Sequence, residues 1–208
     1  SLKLTIVDYG MGNVHSVAKA FEAVGAEVCV SNRTQDLEQA ERIVLPGVGA
    51  FGECITNLRA TGLVDVLTRE VREKGKPFLG ICVGMQLLAR EGLEQGAHLG
   101  LGWVPATVKP LQVAEAGLKL PHMGWNEVFL KADTPLFRGL GRSPVFYFAH
   151  SYHLEWDSDV PTVGVCDYGG MFNAAILQEN ILAVQFHPEK SQVKGLQLLR
   201  NFLAWKPS

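Results

Sequence analysis

The chain has little of what marks several large protein classes. Cysteine is scarce: Cys29, Cys54, Cys82 and Cys166 are widely spread and form no C-x-x-C pair. That excludes a zinc ribbon and a disulfide framework, and a reduced, cytoplasmic setting is expected. No stretch approaches the ~18 apolar residues needed to span a bilayer. The opening apolar run, Leu2–Asp8, follows no basic segment and soon meets Asp8, so no secretory leader and no membrane partner are expected. Neither sign of charge is in excess: 19 Lys and Arg stand against 21 Asp and Glu, mixed along the chain as in Arg69–Lys76. With no basic stripe, nucleic acid is not an expected partner. Internal repeats, low-complexity tracts and flexible linkers are also missing. What remains is 208 residues, 47% of them hydrophobic, enough to bury a core without metal or disulfide staples. One domain over 1–208 is expected, with no cofactor and no metal.

The order of elements points to α/β architecture. Leu2–Asp8, Ala26–Ser31, Arg42–Leu45 and Pro77–Ile81 read as short buried strands. Between them, apolar residues recur at helical spacing in Asn13–Val24, capped by Gly25, and in Leu63–Lys74, closed by Gly75. A further helix is expected to open at Met85–Arg90. Strands alternating with helices imply βαβ units and a parallel sheet. From about Trp103 the texture changes. Val104–Val108, Val145–His150, Thr162–Asp167, Ala174–Gln178 and Ile181–Phe186 read as strands that add antiparallel pairs to the sheet. A last helix runs from after Ser191 to about Trp205.

One turn carries chemistry. In Phe78–Gln86 (FLGICVGMQ) a buried strand meets G-x-C-x-G and a helix begins at once, the cysteine counterpart of a nucleophile elbow. A sharp turn exposes the Cys82 sulfur at the sheet's carboxyl edge, and Gly80 and Gly84 must be small because backbone crowds both sides. A helix N-terminus beneath the sulfur favours the thiolate. The Val83 N–H lies beside the place where an oxyanion would form. A buried, inert cysteine is the competing reading of G-x-C-x-G alone, and it is the reading for Cys29, Cys54 and Cys166. A nucleophilic thiol needs a base, and the base an orienting group. His187 is delivered by an apolar strand (Ala183–Phe186), Pro188 stops that strand, and Glu189 follows.

Gly80–Gln86 together with Phe186-His187-Pro188-Glu189 resembles the triad (class I) glutamine amidotransferases over essentially the whole chain. The resemblance implies a flavodoxin-like three-layer α/β sandwich with a mixed sheet. It implies that Cys82 attacks the glutamine amide, His187 moves protons and Glu189 orients His187. Pro121–Asn126 (PHMGWN), Asp8–Asn13, Pro46–Gly49, Tyr147–Tyr152 and His187–Ser191 are similar to one branch, the glutaminase subunits of imidazole glycerol phosphate synthase. That branch hands ammonia to a (β/α)8-barrel cyclase, which converts the nucleotide PRFAR to imidazole glycerol phosphate and AICAR in histidine biosynthesis. Carried over by matched position, Val48 and Gly49 lie on an oxyanion strand whose flanking glycines permit a peptide flip. Gly49, Gln86, Ser151 and Tyr152 fall at glutamine-binding positions. The carboxylate for the substrate's amino group is Glu94, with Glu91 nearby as the alternative. Asn13, Trp125 and Lys190 match the face toward the cyclase, although Asn13 also suits a helix N-cap and Trp125 a core position.

Other readings are weaker. Gly10-Met11-Gly12 lacks the third glycine of a dinucleotide loop, since His15 stands there. A cysteine hydrolase or chaperone of the DJ-1/PfpI type shares the elbow but requires neither His187-Pro188-Glu189 nor Pro121–Asn126. A purely regulatory relative would have lost Cys82, His187 or Glu189, and all three are present.

Overall fold

A computed structural model describes residues 2–155 and 159–208. The first half alternates as expected: β1 (Lys3–Val7), α1 (Val14–Ala23), β2 (Glu27–Ser31), α2 (Thr34–Gln39), β3 (Arg42–Leu45), α3 (Phe51–Ala60), α4 (Val64–Leu67) and β4 (Phe78–Ile81). After α4 the chain continues as π-helical turns over Thr68–Glu73. Then come α5 (Val83–Gln86), β5 (Ala89–Gly92), β6 (His98–Leu99), β7 (Val104–Pro110), β8 (His122–Glu127), β9 (Phe129–Leu130), β10 (Val145–His150) and β11 (Tyr152–Leu154). The chain closes with β12 (Thr162–Asp167), β13 (Met171–Gln178), β14 (Ile181–Val184) and α6 (Gln192–Ala204).

The main sheet is eight-stranded, in the order β2-β1-β3-β4-β14-β13-β12-β9. Its left half is parallel, and every residue of β3, β4 and β14 is buried. Apart from Arg42 at the start of β3, these strands carry no polar side chain, as a sheet covered on both faces requires. Right-handed crossovers put α1 on one face and α2, α3 and α4 on the other. α6 returns to the α1 face, where Phe202 meets Phe21 edge to face at 6.2 Å. The buried Arg42 fastens that helix to the sheet. Its guanidinium donates to the carbonyls of Phe202 (3.2 Å), Leu203 (3.1 Å) and Trp205, satisfying the open C-terminus of α6. The result is a doubly wound α/β sandwich with antiparallel additions on one side.

Three expectations need correction. The helix opening at Met85–Arg90 ends at Gln86, and Ala89–Gly92 forms a strand instead. A one-turn helix makes too few hydrogen bonds to sustain itself, whereas Ala89–Gly92 gains pairing with both β7 and β6. The strands at Val104–Val108 and Val145–His150 do not join the main sheet. β7 belongs to a four-stranded sheet ordered β11-β7-β5-β6, and β10 pairs with β8 in a separate ribbon. Elements at 34–39, 51–60 and 122–127 have no counterpart in the sequence reading. Cys29, read as buried, is exposed, while Cys54 and Cys166 are buried as expected. No helix among the described residues is long and apolar enough to cross a membrane.

Candidate active site at the carboxyl edge of the sheet

β4 and β14 lie side by side and parallel, with Ile81 opposite Val184. Whatever follows these two strands is therefore brought together. Cys82 follows β4, and its N–H donates to the Val184 carbonyl at 2.8 Å. Gln185, Phe186 and His187 follow β14. The sheet edge thus delivers the thiol and the imidazole to one place from positions more than a hundred residues apart.

Cys82 sits in a strained turn, with φ 55° and ψ −116°. A non-glycine residue there costs ~1–3 kcal/mol, which the surrounding structure must hold in place. The two glycines of the motif are forced. A Cβ on Gly84 would lie 1.9 Å from the Leu45 carbonyl oxygen, and one on Gly80 would lie 2.9 Å from the Gly84 oxygen. α5 is only one turn long, so the dipole beneath the sulfur is weaker than the sequence implies.

His187 is buried between Cys82 and Glu189. Its Nδ1 meets Glu189 Oε2 at 2.8 Å, with both side chains almost fully enclosed. Burial pulls the imidazole's pKa down, but hydrogen bonds and charge from Cys82 and Glu189 override it and push it up to about 10. The ring is therefore an imidazolium at neutral pH. The second Glu189 oxygen is buried with no hydrogen-bond partner among the described residues, so its charge is directed at His187. By contrast, burial raises the Cys54 and Cys166 thiols to about 12.

A cavity of about 250 Å³ opens in front of the sulfur, lined by Val48, Gly49, Cys82, Val83, Gln86, Glu94, Pro121, Met123, Ala149, His150, Ser151 and Tyr152. It is smaller than the ~300–1,000 Å³ of drug-sized sites and suits a small metabolite. A larger cavity of about 950 Å³ lies against Lys131, Arg138 and Arg142, and none of the residues singled out above lines it. Glu94 reaches the smaller cavity, held by the Phe51 N–H at 3.2 Å, whereas Glu91 is tied into β5.

Around the sulfur the polar groups form a network. Gln86 Nε2 donates to the Tyr152 carbonyl (3.1 Å) and to Gln185 Oε1 (3.0 Å), and Gln185 Nε2 lies 3.7 Å from the Cys82 sulfur. The sequence reading gave Gln185 no role, and it held His122 and His150 only as members of the Pro121–Asn126 and Tyr147–Tyr152 blocks, with no role assigned. The available signal was Gln185 as a lone polar residue in an otherwise apolar strand.

Val83 N–H, the expected oxyanion donor, is occupied. It donates to the Gly47 carbonyl at 3.2 Å. Gly47 is walled in, since a Cβ there would meet Tyr9 Oη at 2.7 Å and Gly84 N at 2.8 Å.

The remaining three residues sit away from the cavity. Asn13 caps α1, its Oδ1 accepting from the Ser16 N–H at 3.3 Å. Trp125 is half exposed and meets Tyr147 edge to face at 5.7 Å, and Lys190 Nζ lies 5.8 Å above the same Tyr147 ring. Met123 and Trp125 are exposed apolar side chains of β8, and of these Met123 also lines the cavity.

Fold and site together define a doubly wound α/β protein with a cysteine, a histidine and a glutamate gathered at the carboxyl edge of its sheet, the geometry of a thiol-dependent hydrolase. The class-I glutamine amidotransferase family model matches residues 5–205, and the chain belongs to that family. It is 44% identical to the imidazole glycerol phosphate synthase subunit HisH of Rhodospirillum rubrum, over 99% of this chain and 100% of that one. It is 48% identical to the HisH subunit of Geobacter sulfurreducens, over 96% and 97%. Among solved structures it is similar to PurLQS from Thermotoga maritima (TM-score 0.77, 20% identity, 98% of both chains). A crystal structure of a glutamine amidotransferase is similar too (TM-score 0.73, 22% identity, 96% and 97%). At such identities the structural likeness speaks for the fold.

Proposed function

We propose that this chain is the glutaminase subunit of an imidazole glycerol phosphate synthase. It hydrolyses glutamine to glutamate and ammonia, and its partner is a (β/α)8-barrel cyclase that uses the ammonia to convert PRFAR to imidazole glycerol phosphate and AICAR. The observation that carries the chemistry is His187, enclosed between Cys82 and Glu189 beside a cavity of amino-acid size.

The Cys82 thiolate adds to the glutamine side-chain carbonyl carbon, and the oxygen becomes an oxyanion. His187 gives its proton to the departing nitrogen, ammonia leaves, and a thioester remains on Cys82. His187, now neutral, takes a proton from water. The hydroxide adds to the thioester, the sulfur departs as thiolate, and glutamate is released. Glu189 holds Nδ1 throughout, which keeps the other ring nitrogen toward the sulfur. Glu94 receives the substrate's amino group, and the Ser151–Tyr152 backbone receives its carboxylate. The oxyanion requires the Val83 N–H and, after rotation of the Gly47–Val48 peptide, the Val48 N–H. Asn13, Trp125 and Lys190 lie on the cyclase-facing surface.

The 42–48% identity to HisH subunits over nearly their whole lengths supports the narrower assignment. The test is a glutaminase assay with and without a cognate cyclase and its nucleotide substrate. Slow hydrolysis alone, strongly accelerated by the liganded cyclase, is expected. Cys82→Ala is expected to abolish hydrolysis while leaving the complex intact. Turnover near the unsubstituted rate in that variant would overturn the assignment.

A further inference from the structure

Two buried histidines take no part in the chemistry above. His122 on β8 and His150 on β10 are cross-strand partners, 3% and 6% exposed. Each ring's hydrogen bonds run to the other ring and to an amide or a backbone carbonyl. Their rings join directly, His122 Nδ1 to His150 Nε2 at 2.8 Å.

The direction of every bond in this chain of rings is fixed by backbone groups at its ends. At one end, His150 Nδ1 lies 2.9 Å from the Tyr152 carbonyl, which can only accept. His150 therefore carries its proton on Nδ1, and Nε2 accepts. His122 must then donate from Nδ1 and accept at Nε2, where Asn126 Nδ2 stands at 3.1 Å. At the other end, Asn126 Oδ1 accepts the Glu127 N–H at 2.8 Å, which fixes the amide's orientation. The second Nδ2 hydrogen goes to the Asp167 carbonyl at 3.0 Å. Both rings are held neutral, burial pushing His122 down to about 4 and His150 to about 3.

The line of bonds is sheathed in apolar surface. His122 stacks between Phe148 (4.7 Å) and Tyr168 (4.2 Å), and His150 packs on Phe172 (5.0 Å). Its terminus is a point of the cavity wall. The Tyr152 carbonyl accepts from His150 and from Gln86, and Gln86 continues through Gln185 to the Cys82 sulfur. Its origin, Asn126, adjoins Trp125 on the same strand.

We propose that His122 and His150 are positioning residues that tie the Trp125–Asn126 strand to the Tyr152 carbonyl, and through Gln86 to the glutamine cavity. The proposal rests on the glutaminase reading and deepens it. Two core histidines merely filling space would not need one tautomer each, nor an unbroken line of bonds ending at the cavity.

The test uses the complex with the cognate cyclase. His122→Phe keeps the ring stack and removes both hydrogen bonds. An orphaned buried polar group shifts such an equilibrium by about tenfold, so KM for glutamine should rise about tenfold, with kcat changed far less. His122→Asn retains a donor at the Nδ1 position and should restore most of the loss. The unsubstituted protein gives an independent readout: ring ¹⁵N spectra should show Nδ1–H on both histidines, unchanged from about pH 8 to 5.5. An unchanged KM in His122→Phe, or an Nε2–H tautomer at either ring, overturns the proposal. Cys82→Ala in the same complex separates the two ideas. If it abolishes hydrolysis while His122→Phe leaves KM unaltered, only the positioning role falls.

Discussion

Acidification probes the buried histidine pair through stability alone. Unfolded, both imidazoles take a proton near 6.5, and folded, burial holds them down to about 4 and about 3. Above the unfolded value the pair adds no penalty. Below it the unfolded chain binds protons that the folded chain refuses, so stability falls as pH falls. Each pH unit costs ~1.4 kcal/mol per ring until the folded value is reached. Near pH 5 the pair therefore costs about 4 kcal/mol, a large share of the ~5–15 kcal/mol that holds a typical domain. His187 works in the opposite sense. Its folded value is pushed up to about 10, so its contribution is complete below 6.5 and is lost as pH rises through 10. It adds little slope on the acid side. The assay is equilibrium unfolding in denaturant near pH 7 and pH 5, for the unsubstituted chain and for the His122→Phe/His150→Phe double variant. The double variant removes one bond from Asn126 Nδ2 and one from the Tyr152 carbonyl at both pH values, so that cost cancels in the comparison. Acid-sensitive carboxylates are common to both proteins and cancel. The unsubstituted chain should lose about 4 kcal/mol more than the variant between the two pH values. Equal losses would refute the claim that these rings are buried neutral.

Other substitutions test other parts. Gly84→Ala places a methyl 1.9 Å from the Leu45 oxygen, and backbone on both sides must shift. It should cost ~3 kcal/mol or more in unfolding experiments, and remove glutaminase activity. Arg42→Met leaves the carbonyls of Phe202, Leu203 and Trp205 without their donor. A loss of about 3 kcal/mol is expected, read as a lowered denaturant midpoint with glutamine KM unchanged. Glu94→Gln should raise KM for glutamine by about tenfold with a smaller change in kcat, because the carboxylate is assigned to ground-state binding.

The parallel half of the sheet was legible because its strands are short, apolar and punctuated by Gly and Pro. The elbow was legible because crowding leaves only glycine at positions 80 and 84. The Cys82–His187–Glu189 cluster could be named from two motifs, but the reason they meet, β4 beside β14, is a matter of topology. The small sheets were not legible. Ala89–Gly92 follows a helix start and looks like its continuation, and only pairing with β6 and β7 turns it into a strand. The roles of Gln185, His122 and His150 were not legible either, although His122 and His150 lie in blocks that carried the resemblance. Their meaning comes from what stands across the strand, and a single sequence does not display it.

The occupied Val83 N–H bears on how such a site would be controlled. On the reading proposed above, the oxyanion needs that donor, and the Gly47 carbonyl now holds it at 3.2 Å. Rotating the Gly47–Val48 peptide would free Val83 and turn the Val48 N–H to the same side. Gly49, with φ +108°, gives the strand the freedom to follow. The rotation breaks one neutral hydrogen bond, worth ~1 kcal/mol net. Tyr9 anchors the strand just upstream, donating to the Pro46 carbonyl at 2.6 Å, so the motion is confined to the peptides beyond it. The loop that carries Asn13 touches the same strand, since a Cβ on Gly12 would lie 3.2 Å from Gly47 N and from Pro46 Cβ. On the same proposed reading, a cyclase seated on Asn13 would lie close to the peptide that must turn. Coupling between sites is typically ~1–3 kcal/mol, enough to outweigh the one bond that keeps the donor occupied. The same bond also explains why a chain with a complete Cys82, His187 and Glu189 cluster should hydrolyse glutamine poorly by itself.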